Sequence, residues 1–181
     1  MTPDERLERW IDEESKARQT LRSGPGAGVA RPEQLEGKSG LEIMTEMMSG
    51  VLPYAECAES LHYCAIKIEH GYALFQGATA RGQLNPMGTI HGGWMSSILD
   101  SAIGCAVLSS LPAGHVYSTT VLEVRYLKFL TLKVPRIRVE ARLTRAEKRD
   151  AFAEAYMYGP DDTVYAQATA TCRLAIKPGG R

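Results

Sequence analysis

The feature that most constrains this chain is a long apolar helix pattern between residues 91 and 110. Within it, apolar residues recur three or four positions apart, at 95, 98, 99, 102, 103, 106 and 107. This spacing is typical of a helix that is buried over much of its surface. The small residues Ala102, Gly104 and Ala106 would let neighbouring elements approach it closely on several sides.

Strand patterns lie on both sides of this helix. Residues 62–69 and 72–80 alternate in places around His70 and Gly71, which predicts a hairpin, and residues 82–88 are predicted to form a loop. Four more strands are predicted near residues 116–130, 136–145, 151–158 and 164–176, with a turn at 159–162. This order predicts an α+β fold in which a curved antiparallel sheet wraps the single helix.

The first 55 residues are predicted to form a helical extension. Thr2, Pro3 and Glu5 supply a helix start with a capping box, and apolar residues at 7, 10, 11 and 21 follow at helical spacing. Glycine-rich residues 23–28 end that helix, and a second short helix is predicted over 41–48. We interpret residues 1–55 as an accessory arm that packs on the core or on a partner subunit, and residues 56–181 as the main domain.

Charge and cysteine usage argue against several classes of protein. The 21 Lys and Arg residues balance 21 Asp and Glu, so the whole chain has no net field for nucleic acid or a membrane surface. No apolar run reaches the roughly 18 residues that span a bilayer, and the acidic start lacks the plan of a signal peptide. The four cysteines form no C-x-x-C pair. We therefore expect a cytoplasmic protein with reduced thiols, no metal site and neither nucleic acid nor membrane as a partner.

The chemically informative residues surround the start of the predicted helix. Asn85 precedes His91, Gly92 and Gly93, and Asp100 follows within the helix. Two glycines at a helix start leave the backbone open to a ligand, where free N–H groups and the positive end of the helix dipole point outward. A carbonyl placed there would have its developing oxyanion stabilised. The Gly92 N–H is the candidate donor.

The order and spacing of Asn85, the His-Gly-Gly sequence and Asp100 resemble those of hotdog-fold thioesterases of the phenylacetate-degradation and 4-hydroxybenzoyl-CoA type. The element order from about residue 61 to residue 176 is similar too, so the resemblance covers roughly two-thirds of the chain. It implies a hotdog fold for residues 56–181 and an enzyme that hydrolyses an acyl-CoA thioester to free acid and CoA. Coenzyme A is then part of the substrate, and no separate cofactor is implied.

The resemblance gives Asp100 a catalytic role, as general base on water or as nucleophile, and both roles stay open. Asp100 lies nine residues after His91, about 13 Å along a helix axis. One helix therefore cannot bring its own Gly92 and its own Asp100 to one thioester. If both act, Asp100 comes from a second subunit. This predicts a homodimer, and such thioesterases are commonly dimers of dimers; a merely structural carboxylate at an interface is the alternative.

Three further residues are candidates for the same site. The family uses Asn or Gln at the position of Asn85 to orient the carbonyl or the attacking water, although Asn-Pro is also a common turn start. His91 either orients the thioester or caps the helix and braces the Asn85 loop. Thr119 matches a strand position that often carries a hydroxyl near the carboxylate, but half-buried strands favour threonine for packing reasons alone.

The phosphates of CoA are expected to meet a cationic rim. Basic residues follow the helix at positions 125, 128, 133, 136 and 138, and Arg125, Lys128 and Arg136 are the predicted phosphate contacts. The sequence departs from the family beside them. Where a proline often follows the tyrosine-leucine-basic segment, this chain has Phe129, which is expected to change the groove for CoA.

Two other functions are compatible with this pattern. A non-catalytic acyl-CoA-binding or sensing protein is the main alternative, and the presence of Asp100 favours the enzyme over it. A hotdog dehydratase would need a histidine and an acid together, which His91 and Asp100 cannot supply within one helix. Trp94, Met95 and Tyr117 are candidates to shape the acyl pocket, but they do not identify the acyl group.

Overall fold

A computed structural model of the protein describes residues 1–176. The helices are α1 (Pro3–Arg22), α2 (Pro32–Leu35), α3 (Gly40–Met48), α4 (Glu56–Ser60) and α5 (Gly92–Leu108). The strands are β1 (Tyr63–Glu69), β2 (Tyr72–Ala78), β3 (His115–Tyr126), β4 (Arg136–Ala146), β5 (Asp150–Tyr158) and β6 (Val164–Ile176). The predicted hairpin, long helix and four later strands are confirmed, whereas α2 and α4 were not predicted.

The six strands form one antiparallel sheet in the order β1-β2-β4-β5-β6-β3. The α5 helix lies across one face of this sheet and contacts all six strands. A long helix held by a single antiparallel sheet is the hotdog arrangement, so the predicted α+β hotdog fold is confirmed. At one end of the sheet β3 pairs only with β6, which leaves its other edge unpaired within residues 1–176.

The sheet face toward α5 is lined with alanine. Seven alanines of β4, β5 and β6 on this face are 5% exposed or less: Ala141, Ala151, Ala153, Ala155, Ala166, Ala168 and Ala170. Against them pack large side chains of α5 with no exposed surface: Ile98, Leu99, Ile103 and Val107. Small residues on the sheet let the helix approach closely, and burial of each large side chain stabilises the fold by about 1.5–3 kcal/mol.

The opposite sheet face packs against α1, as strand alternation requires. On β4, Ile137 and Val139 belong to the core around α5, whereas Arg136 and Arg138 point to α1 and pair with its acidic residues. Trp10 of α1 is 2% exposed. The Arg138 guanidinium lies 4.5 Å from the centroid of the Trp10 ring.

A buried polar layer joins α1 to the sheet through Glu14, Gln76 and Arg138. Gln76 Nε2 donates to Glu14 Oε2 at 3.0 Å and to Trp10 O at 2.8 Å, and Arg138 Nε donates to Gln76 Oε1 at 2.9 Å. Arg18 and Arg136 also donate to the Glu14 carboxylate. Burial alone would raise the pKa of Glu14, but these hydrogen bonds and the arginine charges outweigh it and hold the pKa below its usual value.

Strand β3 ends earlier than predicted, at Tyr126 rather than near residue 130. Beyond it, Leu127 N and Lys128 N both donate to Tyr165 O, at 2.8 and 3.2 Å, so the chain leaves the ladder with β6. The register also shifts between Thr119 and Val121. Because of this bulge, odd-numbered residues face α5 before it and even-numbered residues face α5 after it. The half-buried residues are therefore Tyr117 and Thr119 before the bulge and Leu122 and Val124 after it.

The predicted boundary between residues 55 and 56 falls at the start of α4 and stays a prediction. Residues 177–181, the end of the predicted main domain, lie outside the described residues. Among residues 1–176, no helix has both the length and the apolar character needed to cross a membrane.

Replacing Glu14 with Gln is expected to lower the free energy of unfolding at pH 7 by about 2 kcal/mol, the usual scale for a charged hydrogen-bond partner. Since the folded-state pKa of Glu14 is depressed, its stabilisation is present above the unfolded pKa and is lost as the pH falls through the folded pKa. The difference between wild type and variant is therefore expected to shrink below about pH 4. Urea unfolding of wild type and variant at pH 7 and at pH 3 measures the difference in unfolding free energy at each pH.

The matched control is Glu8→Gln, on the exposed side of the same helix, which is expected to change stability little at either pH. An equal loss in Glu14→Gln at both pH values would contradict the role given to the Glu14 charge.

Candidate active site

The loop before α5 is held by the side chain of Asn85. Its Oδ1 accepts hydrogen bonds from Met87 N at 3.0 Å and Thr89 N at 3.2 Å, and its Nδ2 donates to Thr89 Oγ1 at 2.8 Å. Asn85 N also donates to Thr89 O at 2.8 Å. Asn85 thus starts a turn, as expected from the common use of Asn-Pro at turn starts. An amide has two N–H groups, so one remains for a ligand, and the catalytic role of Asn85 stays a prediction.

His91 is the N-terminal cap of α5. Its backbone is extended, with φ −65° and ψ 132°, and its Nδ1 accepts a hydrogen bond from Gly93 N at 2.9 Å. Its own N–H donates to Gln83 O at 2.8 Å, which ties the helix start to the 3₁₀ turn at Arg81–Gln83. The capping role is therefore confirmed. A ring whose Nδ1 accepts carries its proton on Nε2, and this exposed Nε2–H is the group that could orient a ligand.

Gly92 presents an open backbone donor at the first position of α5. Within residues 1–176 its N–H donates to no other atom, as is usual for the first turn of a helix. The Tyr126 ring packs against Gly92, so that an added Cβ at Gly92 would lie 3.0 Å from Tyr126 Oη. The Tyr126 hydroxyl donates to Gly92 O at 3.0 Å and lies 2.6 Å from Ser96 Oγ. The end of β3 thereby holds the Gly92 carbonyl, and within residues 1–176 the Gly92 N–H stays without an acceptor.

Tyr126 is a site residue that the sequence did not reveal. It lies in a strand more than thirty positions after Gly92, and no periodicity or motif connects the two. The only signal was the glycine itself, because a residue without a Cβ at a helix start indicates that some group comes close.

Asp100 is half-buried in the middle of α5, and its Oδ1 is a buried atom with no hydrogen-bond partner within residues 1–176. Buried polar atoms of folded proteins nearly always have a partner. An atom like this one is therefore served by a group outside the chain, or it belongs to a site. Asp100 is the eighth residue after Gly92, which places it about 12 Å further along the helix axis.

Thr119 lies on β3 and is half-buried toward α5. Its Oγ1 is 3.9 Å from Cys172 Sγ on the paired strand β6, a weak contact that leaves the hydroxyl available to another acceptor. Burial raises the pKa of Cys172, with a smaller contribution from the Asp100 charge. Burial likewise raises the pKa of Cys105 to about 12, with additions from Cys57 and Asp100. Both thiols are thus protonated at neutral pH and are poor nucleophiles.

The three predicted phosphate contacts do not lie together. Arg136 is on the α1 face of the sheet, where its guanidinium is paired with Glu14, so the structure does not favour it as a phosphate contact. Arg125 is on the exposed side of β3 and pairs with Glu123 at 3.2 Å. Lys128 is exposed just after β3. The contacts of Arg125 and Lys128 with CoA stay predictions.

Exposed apolar side chains surround the same end of the molecule. Leu127 is 51% exposed, Phe129 83% and Met87 86%. Ile90 N donates to Leu130 O at 2.9 Å, which joins the Asn85 loop to the segment after β3.

Within residues 1–176, no three His, Cys, Asp or Glu side chains are close enough together to hold a metal ion.

Comparisons with known proteins agree with this fold. The family model described as Thioesterase superfamily matches residues 87–166, a segment that contains His91, Gly92, Asp100 and Thr119 and begins just after Asn85. The predicted resemblance to the hotdog-fold thioesterases is thereby confirmed. A comparison with curated proteins finds no match.

Solved structures share the architecture over most of their length. A phenylacetic acid degradation-related protein from Ralstonia eutropha JMP134 is 25% identical with a TM-score of 0.66, over 71% of this chain and 97% of that one. The PaaI protein from the phenylacetic acid degradation operon of E. coli is 17% identical with a TM-score of 0.63, over 74% and 89%. A thioesterase family protein from Silicibacter pomeroyi is 22% identical with a TM-score of 0.62, over 67% and 90%. The two less similar structures support the fold alone.

The capping role of His91 can be separated from a role in ligand binding. His91→Ala removes the acceptor for Gly93 N and is expected to cost about 1 kcal/mol of unfolding free energy. His91→Asn keeps a side-chain acceptor, as a favoured capping residue, and is expected to retain most of that stability. Thermal unfolding of the two variants checks the capping role, and equal destabilisation by both would contradict it.

Proposed function

We propose that this protein hydrolyses acyl-CoA thioesters at sites shared between two subunits. The observation that carries this proposal is that one helix presents an open Gly92 N–H at its start and a buried, unpartnered Asp100 oxygen in its middle. The match to the thioesterase superfamily over residues 87–166 supports the reaction class. Coenzyme A takes part as a portion of the substrate.

The chemistry follows from these two groups. The Gly92 N–H and the positive end of the α5 dipole hold the thioester carbonyl oxygen and stabilise its negative charge in the tetrahedral intermediate. Asp100 of the partner subunit accepts a proton as water adds to the carbonyl carbon. The C–S bond then breaks, and the leaving sulfur takes that proton, which releases the free acid and CoA.

A nucleophilic route uses the same groups in two steps. The Asp100 carboxylate attacks the carbonyl carbon, the C–S bond breaks, CoA leaves as a thiolate that takes a proton from solvent, and a mixed anhydride forms. Water then hydrolyses the anhydride, which releases the free acid and restores the carboxylate. On either route the Asn85 amide and the Thr119 hydroxyl are assigned the role of orienting the carbonyl or the water, and His91 Nε2–H is a further candidate donor at the helix start.

Two subunits are required because Gly92 and Asp100 are about 12 Å apart on one helix. The unpaired edge of β3 offers a way to join them, since two copies of an edge strand can pair antiparallel about a two-fold axis. Val116 and Val121 on β3 are 41% and 58% exposed, which is consistent with burial in such an interface. A two-fold dimer of this kind has two equal sites.

The CoA moiety is proposed to leave the site past the end of β3. Arg125 and Lys128 are exposed there and supply positive charge for phosphate groups. Phe129 and Met87 offer apolar surface to the acyl chain, the pantetheine arm or the partner subunit.

Asp100→Asn is expected to lower thioester hydrolysis by about 100-fold or more, the usual loss when an acid–base group is removed. The isosteric side chain is expected to keep the melting temperature within a few degrees of wild type. Release of thiol from aromatic, short and long acyl-CoA substrates measures turnover, and thermal unfolding confirms the fold.

Unchanged turnover in Asp100→Asn would overturn the proposed mechanism. Tight binding of acyl-CoA by wild type without hydrolysis of any substrate would instead favour the non-catalytic acyl-CoA-binding protein.

Gly92→Pro offers a direct test of the backbone donor. Proline is well tolerated at the first position of a helix and follows an extended residue such as His91 without strain, yet it removes the N–H. It is expected to lower kcat by about 100-fold. Gly92→Ala is the matched control, because it introduces the same contact with Tyr126 but keeps the N–H.

Mixing Gly92→Pro chains with Asp100→Asn chains tests whether the sites are shared. A mixed dimer would have one site with both defects and one intact site. After subunit exchange at equal concentrations, about a quarter of wild-type activity is expected. Recovery of no activity in verified mixed dimers would show that Gly92 and Asp100 act within one chain.

A further inference from the structure

Gly104 of α5 makes room for the hydroxyl of Tyr117. A Cβ built at Gly104 would overlap Tyr117 Oη and would lie 2.9 Å from Cζ. Any larger residue at position 104 would therefore push the tyrosine away from the helix. Tyr117 and Thr119 are two residues apart and both precede the β3 bulge, so they lie on the same strand face.

This hydroxyl lies on the helix face that also carries Asp100. Residues four apart on a helix are neighbours, with about 6 Å between their Cβ positions, and Gly104 is the fourth residue after Asp100. Burial, with smaller contributions from Cys105, Cys172 and Asp100, raises the pKa of Tyr117 far above its usual value. The phenol is therefore protonated at neutral pH and can donate a hydrogen bond.

Both groups lack a partner in the described part of the chain. The hydroxyls of Tyr63 and Tyr126 are hydrogen-bonded, whereas that of Tyr117 makes no hydrogen bond within residues 1–176. Asp100 Oδ1 is equally unpartnered. Catalytic hydrogen bonds are often long or poorly aligned before a substrate binds, and the Tyr117 hydroxyl lies close enough to Asp100 for the carboxylate charge to act on it.

We propose that Tyr117 is a positioning residue that donates its hydroxyl hydrogen to Oδ1 of Asp100 in the same chain. This bond fixes the carboxylate plane and leaves Oδ2 free to act on water or on the thioester. The inference rests on the proposed function for its role in catalysis, but the contact itself does not depend on activity. Cys172 also lies near enough to Asp100 to be affected by its charge, but a thiol is a weak hydrogen-bond donor, and the Thr119 hydroxyl is assigned to the carbonyl or the water in the proposed function.

Tyr117→Phe keeps the ring and removes only the hydroxyl. It is expected to lower kcat about tenfold with KM unchanged, the usual scale for a hydrogen bond to a charged group. The acidic limb of the pH–rate profile is expected to move to higher pH, because loss of a donor disfavours the ionised carboxylate. In chains that already carry Asp100→Asn, Tyr117→Phe is expected to cause no further loss. Tyr158→Phe is the matched control, because Tyr158 is a half-buried tyrosine that contacts Trp10 on the α1 side of the sheet.

A second measurement needs no turnover. Tyr117→Phe is expected to lower the melting temperature in chains with Asp100 but not in chains with Asp100→Ala, because only the former lose a hydrogen bond. If wild type hydrolyses thioesters and Asp100 is essential, but Tyr117→Phe changes neither kcat nor the pH profile, the role of Tyr117 is overturned while the proposed function stands. If wild type hydrolyses nothing, equal shifts in melting temperature in both backgrounds would overturn the contact itself.

Discussion

The close packing of α5 against an alanine-lined sheet is the interaction on which the rest of the structure depends. Because Ala141, Ala155 and Ala168 have short side chains, large residues of α5 such as Ile98 and Leu99 fill the space between helix and sheet. The helix is then held along its whole length and cannot move without opening the core. Its first turn and its middle therefore keep a fixed separation, which makes Gly92 and Asp100 a rigid pair of groups that a dimer can combine.

The opposite face of the sheet is covered in a different way, by a buried polar layer between the sheet and α1. Arg138 and Gln76 are buried on the outer sheet face, where unpaired polar groups would be costly. Glu13 pairs with the Arg138 guanidinium and Glu14 accepts a hydrogen bond from Gln76, which makes this burial tolerable, and Trp10 covers the Arg138 guanidinium. The N-terminal helix thus covers part of the outer sheet face, and its Glu14 pairs with Arg136, one of the predicted phosphate contacts.

Local patterns predicted what depends on neighbours in sequence. The capping box of Thr2 and Glu5 and the apolar spacing of α5 gave helix positions within a residue or two of those observed. The motif from Asn85 to Asp100 gave the candidate site because its residues share one loop and one helix. Long-range pairings could not be predicted in this way. Strand β3 ends where Leu127 N and Lys128 N donate to Tyr165 O. The Arg136 guanidinium pairs with Glu14, which is near the other end of the chain. The environment of Gly92 depends on Tyr126, and although the glycine indicates that some group comes close, nothing local identifies that group as Tyr126.

The position of α1 also limits how copies of this protein can assemble. Trp10 and Glu14 are buried against the outer face of the sheet, and α1 contacts β1 and β4 there. A second dimer cannot stack on that part of the face unless α1 is displaced, which would expose Gln76 and Arg138. Growth from a dimer to a larger assembly would have to use the outer surface of α1 itself or the part of the sheet that it leaves uncovered. In any assembly that used this face, the N-terminal extension would act as a spacer between the two sheets.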